Sequence, residues 1–321
     1  MGLRLSVQRT AWLATVDAAA EARPGLIPVV KGNGYGFGRR ELMPIAGRLA
    51  AGGQIAVGTV YEAHDVPADL VALVLTPHVD VVPNTVPSSA ILTVGDIDHV
   101  AALQTRGWTG RVSIKLASSM RRYGVVPDHL PALVAAAENA GLTIDGFALH
   151  LPLAGNDESR LAEVEAWLPL LDHELPLSLS HLTPPTFADV RAAHPDRTMR
   201  IRCGTALWHA DKGLLHLTAD VVDVHAVSSG STSGYHATVV PGDGHLVLVA
   251  AGSAHGVRPL ETGLSPFHFA RQRVPLLEGP HMHTSILFVA AGRPLPSIGE
   301  RIDVQRPLIE TMIDELEWVD D

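Results

Sequence analysis

The feature that most constrains the fold is a regular alternation of segments over the first two thirds of the 321-residue chain. Short apolar runs, many of them β-branched, alternate with Ala-, Leu- and Glu-rich stretches whose hydrophobic residues recur at helical spacing. Eight such runs indicate a parallel sheet, and eight is the strand number of a closed (β/α)8 barrel. The predicted strands are residues 26–30, 54–59, 70–75, 90–94, 111–115, 144–150, 177–181 and 199–203. The clearest predicted helices are residues 11–22, 39–51, 130–140, 158–171 and 186–193.

The pattern changes after about residue 212, where apolar runs are separated by Gly-, Pro- and Ser-rich turns without helical crossovers. This indicates an antiparallel β domain. We therefore predict an α/β fold, a TIM-like (β/α)8 barrel over residues 8–212 followed by a mainly antiparallel β domain over residues 213–321. The first strand, within residues 1–7, is a candidate to join the second domain. The predicted strands outside the barrel are residues 3–7, 217–227, 235–240, 245–251, 284–289 and 301–304.

Composition excludes several classes of function. The formal net charge is −10 and no basic run is present, so we expect neither a nucleic-acid partner nor binding to an acidic membrane. No apolar run approaches the roughly 18 residues that a membrane-spanning helix needs. The single cysteine, Cys203, excludes an intramolecular disulfide and fits the reducing cytoplasm, where we expect the protein to be. The 17 histidines lack matching carboxylate spacing, so no metal site is predicted.

Several polar side chains follow or close predicted barrel strands, at the end where barrel enzymes carry their active groups. Lys31 stands out, because it follows an apolar strand and opens a Gly-Asn-Gly-Tyr-Gly turn whose backbone can approach a ligand closely. A desolvated lysine has the lowered pKa that condensation with an aldehyde requires. Taken alone, a lysine at this place is more often a surface residue. The residues of this group are Lys31, Arg122, His150, His181 and Arg202.

The segment at residues 29–38, Val-Val-Lys-Gly-Asn-Gly-Tyr-Gly-Phe-Gly, resembles the lysine motif of the alanine racemase family, which binds pyridoxal 5′-phosphate (PLP). Further segments resemble the motifs of that family in the same order along the chain. Barrel followed by β domain is also the architecture of the family. The further segments are residues 115–124, 146–150, 202–207, 233–235, 280–283 and 298–300.

The resemblance implies roles for the residues that carry it. Lys31 would hold PLP as a Schiff base and act as one proton-transfer base, and Tyr235 would be the base on the opposite face. Arg202 would face the pyridine nitrogen, and Arg122 would reach the cofactor and the substrate carboxylate. A tyrosine base needs nearby positive charge, for which Arg202 and His150 are the candidates.

Other implied roles concern the phosphate, the substrate and the oligomer. Gly204 and Thr205 would give backbone N–H groups to the phosphate, and Tyr35 its hydroxyl. Met282 lies in the segment that resembles a substrate-binding motif. Lys115 matches a lysine that is often carbamylated in the family. A homodimer is implied, in which the β domain of one subunit completes the active site of the other.

The chain also departs from the family pattern. Pro184 and Pro185 replace residues of a phosphate-binding segment, and the segment 252–256 lacks a tyrosine of the substrate entrance. The chain as given ends without the extension whose tyrosine contacts the phosphate. We therefore expect a divergent PLP-dependent amino-acid racemase whose substrate is other than, or larger than, free alanine. Two alternatives stay open. One is a racemase-like protein with weakened or lost catalysis that serves to bind PLP or another ligand, or to interact with a partner. The other is a PLP decarboxylase or aldolase, against which Arg202 argues.

Overall fold

The computed structural model describes residues 1–50 and 52–320, which divide into two compact units. The barrel unit takes its residues from 16–34 and 39–210, and the β unit from 1–15, 35–38 and 211 onward. The predicted helix end at Ala51 and the predicted domain end at Asp321 lie outside the described residues. The domain limits of 8–212 and 213–321 stay a prediction.

Strands and helices alternate along most of the chain as far as residue 210, except between β3 and β5. In residues 1–50 and 52–320, none of the helices has the length and apolar character to cross a membrane. The elements of this part are β1 (Leu3–Gln8), α1 (Arg9–Glu21), β2 (Leu26–Pro28), α2 (Arg39–Leu49), β3 (Gln54–Val57), β4 (Val71–Val74), β5 (Ile91–Val94), α3 (Ile97–Thr105), β6 (Arg111–Leu116), α4 (Leu130–Asn139), β7 (Thr143–Leu149), α5 (Asp157–Trp167), β8 (Leu177–Ser180), α6 (Pro184–Ala193), β9 (Met199–Cys203) and α7 (Thr205–Trp208).

The barrel unit is built on eight parallel strands in the order β2-β9-β8-β7-β6-β5-β4-β3. A parallel bridge between Val29 and Ala56, with the Val30 N–H donating to the Ala56 carbonyl at 2.8 Å, joins β2 and β3 and nearly closes the sheet. Every residue of β3, β5 and β8 is buried, as expected for parallel strands that are covered on both faces of the sheet. The predicted barrel is therefore confirmed.

The helices of the barrel can be compared with the sequence prediction at α3 and between β4 and β5. Helix α3 was not predicted, although Asp96 caps it by accepting a hydrogen bond from the Asp98 N–H at 2.9 Å. No helix connects β4 to β5, as expected from the prolines at positions 77, 83 and 87. The connection from β3 to β4 also lacks an α-helix and contains only a short 3-10 helix, Val60–Asp65.

The β unit contains a mainly antiparallel sheet in the order β15-β14-β17-β10-β1-β18, extended by β13 on β10 and β16 on β13. Strand β1 lies antiparallel to β10 and parallel to β18, so the first residues of the chain belong to this sheet. Trp12 and Phe37 pack with their ring centroids 4.9 Å apart. The strands are β10 (Leu215–Val227), β11 (Thr232–Ser233), β12 (Thr238–Val239), β13 (Gly244–Val249), β14 (Phe267–Phe269), β15 (Gln272–Arg273), β16 (Ser285–Ala290), β17 (Arg301–Val304) and β18 (Glu315–Val319).

The predicted strand at residues 235–240 is wrong over most of its length. Only Thr238–Val239 is a strand, and Tyr235 lies in the turn between β11 and β12. Left-handed backbone at Gly234 (φ 81°) and Ala237 (φ 48°) reverses the chain there. The consequence is that Tyr235 is presented at a turn instead of being fixed in a sheet.

We predict that Gly146→Ala destabilises the barrel by about 2–4 kcal/mol. Gly146 has φ 151°, and a Cβ atom there would lie 2.5 Å from the Pro176 carbonyl oxygen, so both backbone strain and a clash with a neighbouring strand arise. Urea unfolding followed by tryptophan fluorescence measures the change. Gly52→Ala is the matched control, because a Cβ at Gly52 meets no described atom within 4 Å. Equal midpoints for the two variants would contradict the prediction.

Candidate active site

The polar residues that were predicted to form a site because they follow or close barrel strands lie at the carboxyl-terminal rim of the barrel. Because all eight strands are parallel, the residues that follow them meet at one end of the sheet. Lys31 follows β2, Arg122 lies in the loop after β6, His150 follows β7, His181 follows β8, and Arg202 lies near the end of β9.

Lys31 is exposed at the rim, yet the protein around its ammonium group partly excludes water. This desolvation is the main cause that lowers the pKa of Lys31 below its ordinary value. The positive charges of Arg122 and Arg202 act in the same direction, and the carboxylate of Glu62 opposes them. At a given pH, a larger fraction of Lys31 is therefore in the neutral, nucleophilic amine form than for an isolated lysine.

Glu62 was not recognised from the sequence, although it follows a barrel strand. Its carboxylate accepts hydrogen bonds from the Gly58 N–H at 2.6 Å and the Gly32 N–H at 3.0 Å. A Cβ atom on Gly58 would lie 2.9 Å from Glu62 Oε2 and 3.4 Å from the Cβ of Lys31. Glu62 thus ties the loop that carries Lys31 to the end of β3, and Gly58 leaves room for both side chains.

Arg202 is buried, and its position leaves one donor unused. Its Nη2 donates to the Leu149 carbonyl at 2.7 Å, whereas its buried Nε–H has no hydrogen-bond partner among the described residues. Burial lowers the pKa of Arg202 to about 10, with Tyr123 opposing and Arg122 adding to the shift. A buried donor without a partner costs about 1–3 kcal/mol, so this N–H fits a ligand that brings an acceptor atom.

Two histidines of the rim contact each other, with ring centroids 4.7 Å apart. His181 Nδ1 lies 2.7 Å from the Leu151 carbonyl oxygen, which can only accept, so Nδ1 carries the proton. His150 Nδ1 lies 2.9 Å from the hydroxyl of Ser180. Burial is the main cause that lowers the pKa of His150 to about 2, and the charge of Arg202 adds to it. His150 is therefore neutral, which does not support its expected role as a source of positive charge for Tyr235; that role stays a prediction.

Lys115 is buried below the rim without a carboxylate contact among the described residues. Its Nζ lies 3.3 Å from the carbonyl oxygens of both Leu116 and Ala148. Burial first, and then the charges of Arg202 and Arg122, lower the pKa of Lys115 to about 6. At neutral pH the side chain is mostly an uncharged amine.

Helix α7 supplies the backbone expected to contact a phosphate. The Leu207 and Trp208 N–H groups both donate to the Gly204 carbonyl, which leaves the first N–H groups of the helix outside its own hydrogen bonding. The Trp208 Nε1–H donates to the Val29 carbonyl at 2.8 Å and fixes α7 beside the strand that leads to Lys31. Gly204 and Thr205 therefore lie at the end of the sheet that also carries Lys31.

At the start of α6, beside Pro184 and Pro185, the threonine side chains bind a carboxylate of the chain itself. The hydroxyls of Thr183 and Thr186 and the Thr183 N–H all donate to Oδ2 of Asp157. Although partial burial raises the pKa of Asp157, hydrogen bonds from Thr183, Thr186 and Arg160 hold it at about 2. Because both hydroxyls donate to Asp157, they do not replace the phosphate contacts that Pro184 and Pro185 remove from this segment.

The remaining predicted residues belong to the β unit. Tyr35 is buried, with left-handed backbone at φ 57°. Tyr235 and Met282 are instead 83% and 66% exposed, which is unusual for large apolar side chains. Among the described residues, no group of three or more His, Cys, Asp or Glu side chains is arranged to hold a metal ion.

The family model of the alanine racemase N-terminal domain matches residues 10–211, which include the whole rim. The chain belongs to the alanine racemase family. This confirms the resemblance read from the lysine motif and the segments that follow it.

Curated relatives agree with the assignment. The alanine racemase of Mycobacterium ulcerans (strain Agy99) is 28% identical over 264 residues, 72% of this chain and 66% of that protein, just under two thirds of its length. The alanine racemase of Cutibacterium acnes is 28% identical over 280 residues, 79% of this chain and 73% of that protein.

Solved structures of the family share the fold along the whole chain. The alanine racemase from Bartonella henselae, with covalently bound pyridoxal phosphate, superposes with a TM-score of 0.75 at 16% identity, covering 99% of this chain and 100% of that one. The alanine racemase from Corynebacterium glutamicum has a TM-score of 0.72 at 19% identity, with coverage of 99% and 100%. At these identities the likeness concerns the fold.

We predict that Lys115 makes the stability of the barrel rise with pH above about 6. The pKa of its amine is about 6 in the folded chain and 10.5 in the unfolded chain, so between these values the unfolded state binds more protons. The slope is at most about 1.4 kcal/mol per pH unit. Lys115→Met should remove it, so that the advantage of the variant over the parent shrinks from pH 6 to pH 10. Urea unfolding in CO2-free buffer measures this, and parallel pH profiles would contradict it.

Proposed function

We propose that this protein is a PLP-dependent amino-acid racemase with Lys31 as the cofactor lysine. The observation that carries the proposal is the unpartnered, buried Nε–H of Arg202 at the rim that also holds a lysine of lowered pKa. An acceptor such as a pyridine nitrogen satisfies that donor. An arginine in this place keeps such a nitrogen unprotonated, because a second cation beside it is unfavourable.

The remaining contacts to PLP follow from the same rim. The N–H groups at Gly204 and Thr205 bind the phosphate, and the Tyr35 hydroxyl is proposed to contact it. The Arg122 guanidinium binds the substrate carboxylate with a planar pair of donors, and Met282 lines the substrate site. When bound, PLP withdraws electrons from the substrate and makes its α-proton acidic.

Racemisation needs a proton-transfer group on each face of the α-carbon. The Lys31 amine serves one face, which its lowered pKa supports because the neutral amine is the form that accepts a proton. The Tyr235 hydroxyl serves the other, and Arg202 rather than His150 supplies positive charge on that side. The exposure of Tyr235 supports a role in which it reaches beyond its own unit.

A homodimer with shared sites explains that exposure. In this arrangement the partner subunit's Tyr235 completes the site around Lys31, and the interaction is reciprocal because the dimer is two-fold symmetric. Tyr235 and Met282 then become buried in the assembly instead of remaining in water. A cytoplasmic location is part of the proposal and rests on the single cysteine.

The proposed substrate is an amino acid other than, or larger than, free alanine. In the segment from Gly252 to Gly256, Ser253 stands where the family pattern has the entrance tyrosine. His255 is buried and its Nε2 lies 3.0 Å from Asp314 Oδ2, so this side chain is part of the packing of the β unit. The small side chains of Ser253 and Ala254 leave more room for a substrate than a tyrosine does.

Lys115 is proposed to react with CO2 and become a carbamate. Its uncharged amine is the form that attacks CO2, and the carbamate would neutralise part of the charge of Arg122 and Arg202. The buried position without a carboxylate partner among the described residues supports this, because the modification supplies the missing anion.

One observation favours the alternative of a racemase-like binding protein with weakened catalysis. Asp157 occupies the threonine hydroxyls of α6, so fewer donors hold the phosphate, and each charge-assisted hydrogen bond lost weakens PLP binding by roughly 1–3 kcal/mol. The two functions differ in whether the α-proton of a bound amino acid exchanges with solvent.

We predict that the purified protein develops a visible absorbance band with added PLP, and that Lys31→Ala lacks it while keeping the far-ultraviolet circular dichroism of the parent. The band reports covalent attachment, which needs the Lys31 amine. With the parent protein, α-deuterium exchange in D2O across an amino-acid panel then tests turnover. A band without exchange selects the binding protein. No band in the parent contradicts PLP chemistry altogether, and rapid turnover of alanine with rejection of larger amino acids contradicts the substrate proposal.

We predict that Lys31→Ala has no racemase activity and that Tyr235→Phe loses roughly 10²–10⁴-fold. A mixture of the two variants should recover part of the activity. A mixed dimer has one site with both Lys31 and Tyr235 if sites are shared. Unfolding, mixing and refolding equal amounts should give roughly one quarter of the parent activity, because half of the dimers are mixed and each has one intact site. No recovery would mean that each site takes both residues from a single chain.

A further inference from the structure

The turn that carries Tyr235 has little support from its own strands. Strands β11 and β12 pair at two positions only, Thr232 with Val239 and Ser233 with Thr238. A two-stranded ribbon of this size is marginal in water. Some other contact must fix the turn if the Tyr235 hydroxyl is to be delivered to a defined place.

That contact is the side chain of Glu278, which is 4% exposed. Oε1 accepts from the Tyr235 N–H at 2.9 Å, and Oε2 accepts from the His236 N–H at 3.4 Å and from the Thr238 hydroxyl at 2.9 Å. His281 Nε2 lies 2.5 Å from Oε1. One buried carboxylate therefore holds both sides of the turn.

The Glu278 carboxylate is ionised, and Gly234 leaves the space that it occupies beside the turn. The hydrogen bond from His281 is the main cause that lowers the pKa of Glu278 to about 2, and burial opposes it. A Cβ atom at Gly234 would lie 2.2 Å from the carboxylate, so only glycine allows this approach. Because Glu278 is anionic, His281 Nε2 must be the donor in their hydrogen bond.

Glu278 itself is attached to the sheet of the β unit. The N–H of the preceding residue, Leu277, donates to the Ile286 carbonyl at 2.8 Å, which ties the segment to β16. On the other side, the His281 ring lies against the ring of Tyr235 with centroids 4.2 Å apart. The segment that contains Glu278 and His281 thus contacts Tyr235 at two points. Glu278 accepts a hydrogen bond from the Tyr235 backbone N–H, and the His281 ring packs against the Tyr235 ring.

We propose that Glu278 is a positioning residue, which with His281 fixes the Tyr235 turn so that the hydroxyl meets the substrate α-proton. This deepens the proposed function and rests on it, because the position of Tyr235 matters only if Tyr235 transfers a proton. Glu278 does not touch the substrate. Its loss therefore affects proton transfer on the Tyr235 face and leaves cofactor binding in the barrel unit unchanged.

We predict that Glu278→Gln lowers kcat by roughly 10- to 100-fold with little change in KM, as expected when a reacting group is displaced by about 1 Å. The amide of a glutamine side chain has one acceptor oxygen instead of two, so the turn loses part of its hold. The PLP absorbance band should stay at parent strength. Exchange of the α-proton should become unequal for the two enantiomers, falling for the one served by Tyr235 as it does in Tyr235→Phe.

Amide hydrogen exchange gives a reading that does not depend on activity. The Tyr235 and His236 N–H groups should be protected in the parent and should exchange faster in Glu278→Gln. Glu261→Gln, which changes an exposed carboxylate of the same unit, is the matched control and should match the parent in both assays. Thr238→Val, which removes one of the donors to Glu278, should give smaller effects in the same direction if Glu278→Gln folds poorly.

The outcomes separate this inference from the proposed function. Unprotected amides in the parent, or faster amide exchange with unchanged kcat and equal enantiomer exchange, would overturn the positioning role. A parent protein that binds PLP, protects both amides and exchanges no α-proton would instead overturn the racemase proposal, and the catalytic role of Glu278 with it. Slower turnover with equal loss for both enantiomers would show a general structural effect and would also reject it.

Discussion

The rim of the barrel depends on a concentration of positive charge that the protein only partly compensates. Arg202 and Lys115 are buried. The charges of Arg202 and Arg122 act on both Lys115 and Lys31, while Glu62 is the carboxylate that counters the charge at Lys31. Burying cations together is unfavourable, and the amines respond by giving up protons more easily. Lys115 is mostly neutral as a result, and the pKa of Lys31 is lowered. The same repulsion between cations makes the rim complementary to an anionic, acceptor-rich ligand.

The fold fixes this charge in place through contacts that do not involve the ligand. Parallel strands bring the residues after β2, β6, β7 and β9 to one end, and Trp208 fastens α7 to the strand before Lys31. Glu62 holds the Lys31 loop against the end of β3. Placing these cations close together is unfavourable in free energy. The apolar packing of the mostly buried barrel strands offsets that cost. The positions of these residues are therefore fixed by contacts within the chain itself.

Sequence reasoning succeeded where the signal was local. Buried parallel strands are continuous apolar runs, so the eight barrel strands were predicted, and Lys31 was found because its motif lies in consecutive residues. It failed where the deciding contact joins distant residues. Glu278 lies 43 positions from Tyr235, and Asp157 lies 26 from Thr183. The turn at Tyr235 was missed because apolar residues around it suggested a strand, whereas Gly234 and Ala237 take left-handed backbone. The neutral state of His150 depends on burial and on Arg202, which spacing along a sequence does not reveal.

Three carboxylates, Glu62, Asp157 and Glu278, share one task in different places: each accepts hydrogen bonds from backbone N–H groups and fixes a loop. Their consequences differ. Glu62 and Glu278 stabilise loops that carry the proposed proton-transfer groups, whereas Asp157 uses hydroxyls that a phosphate would otherwise engage. In the proposed function, cofactor retention and α-proton transfer therefore depend on separate contacts. Loss of phosphate donors at α6 weakens the hold on PLP without disturbing Lys31, Arg202 or the Tyr235 turn. Proton-transfer chemistry can thus be kept in a chain whose phosphate site has diverged.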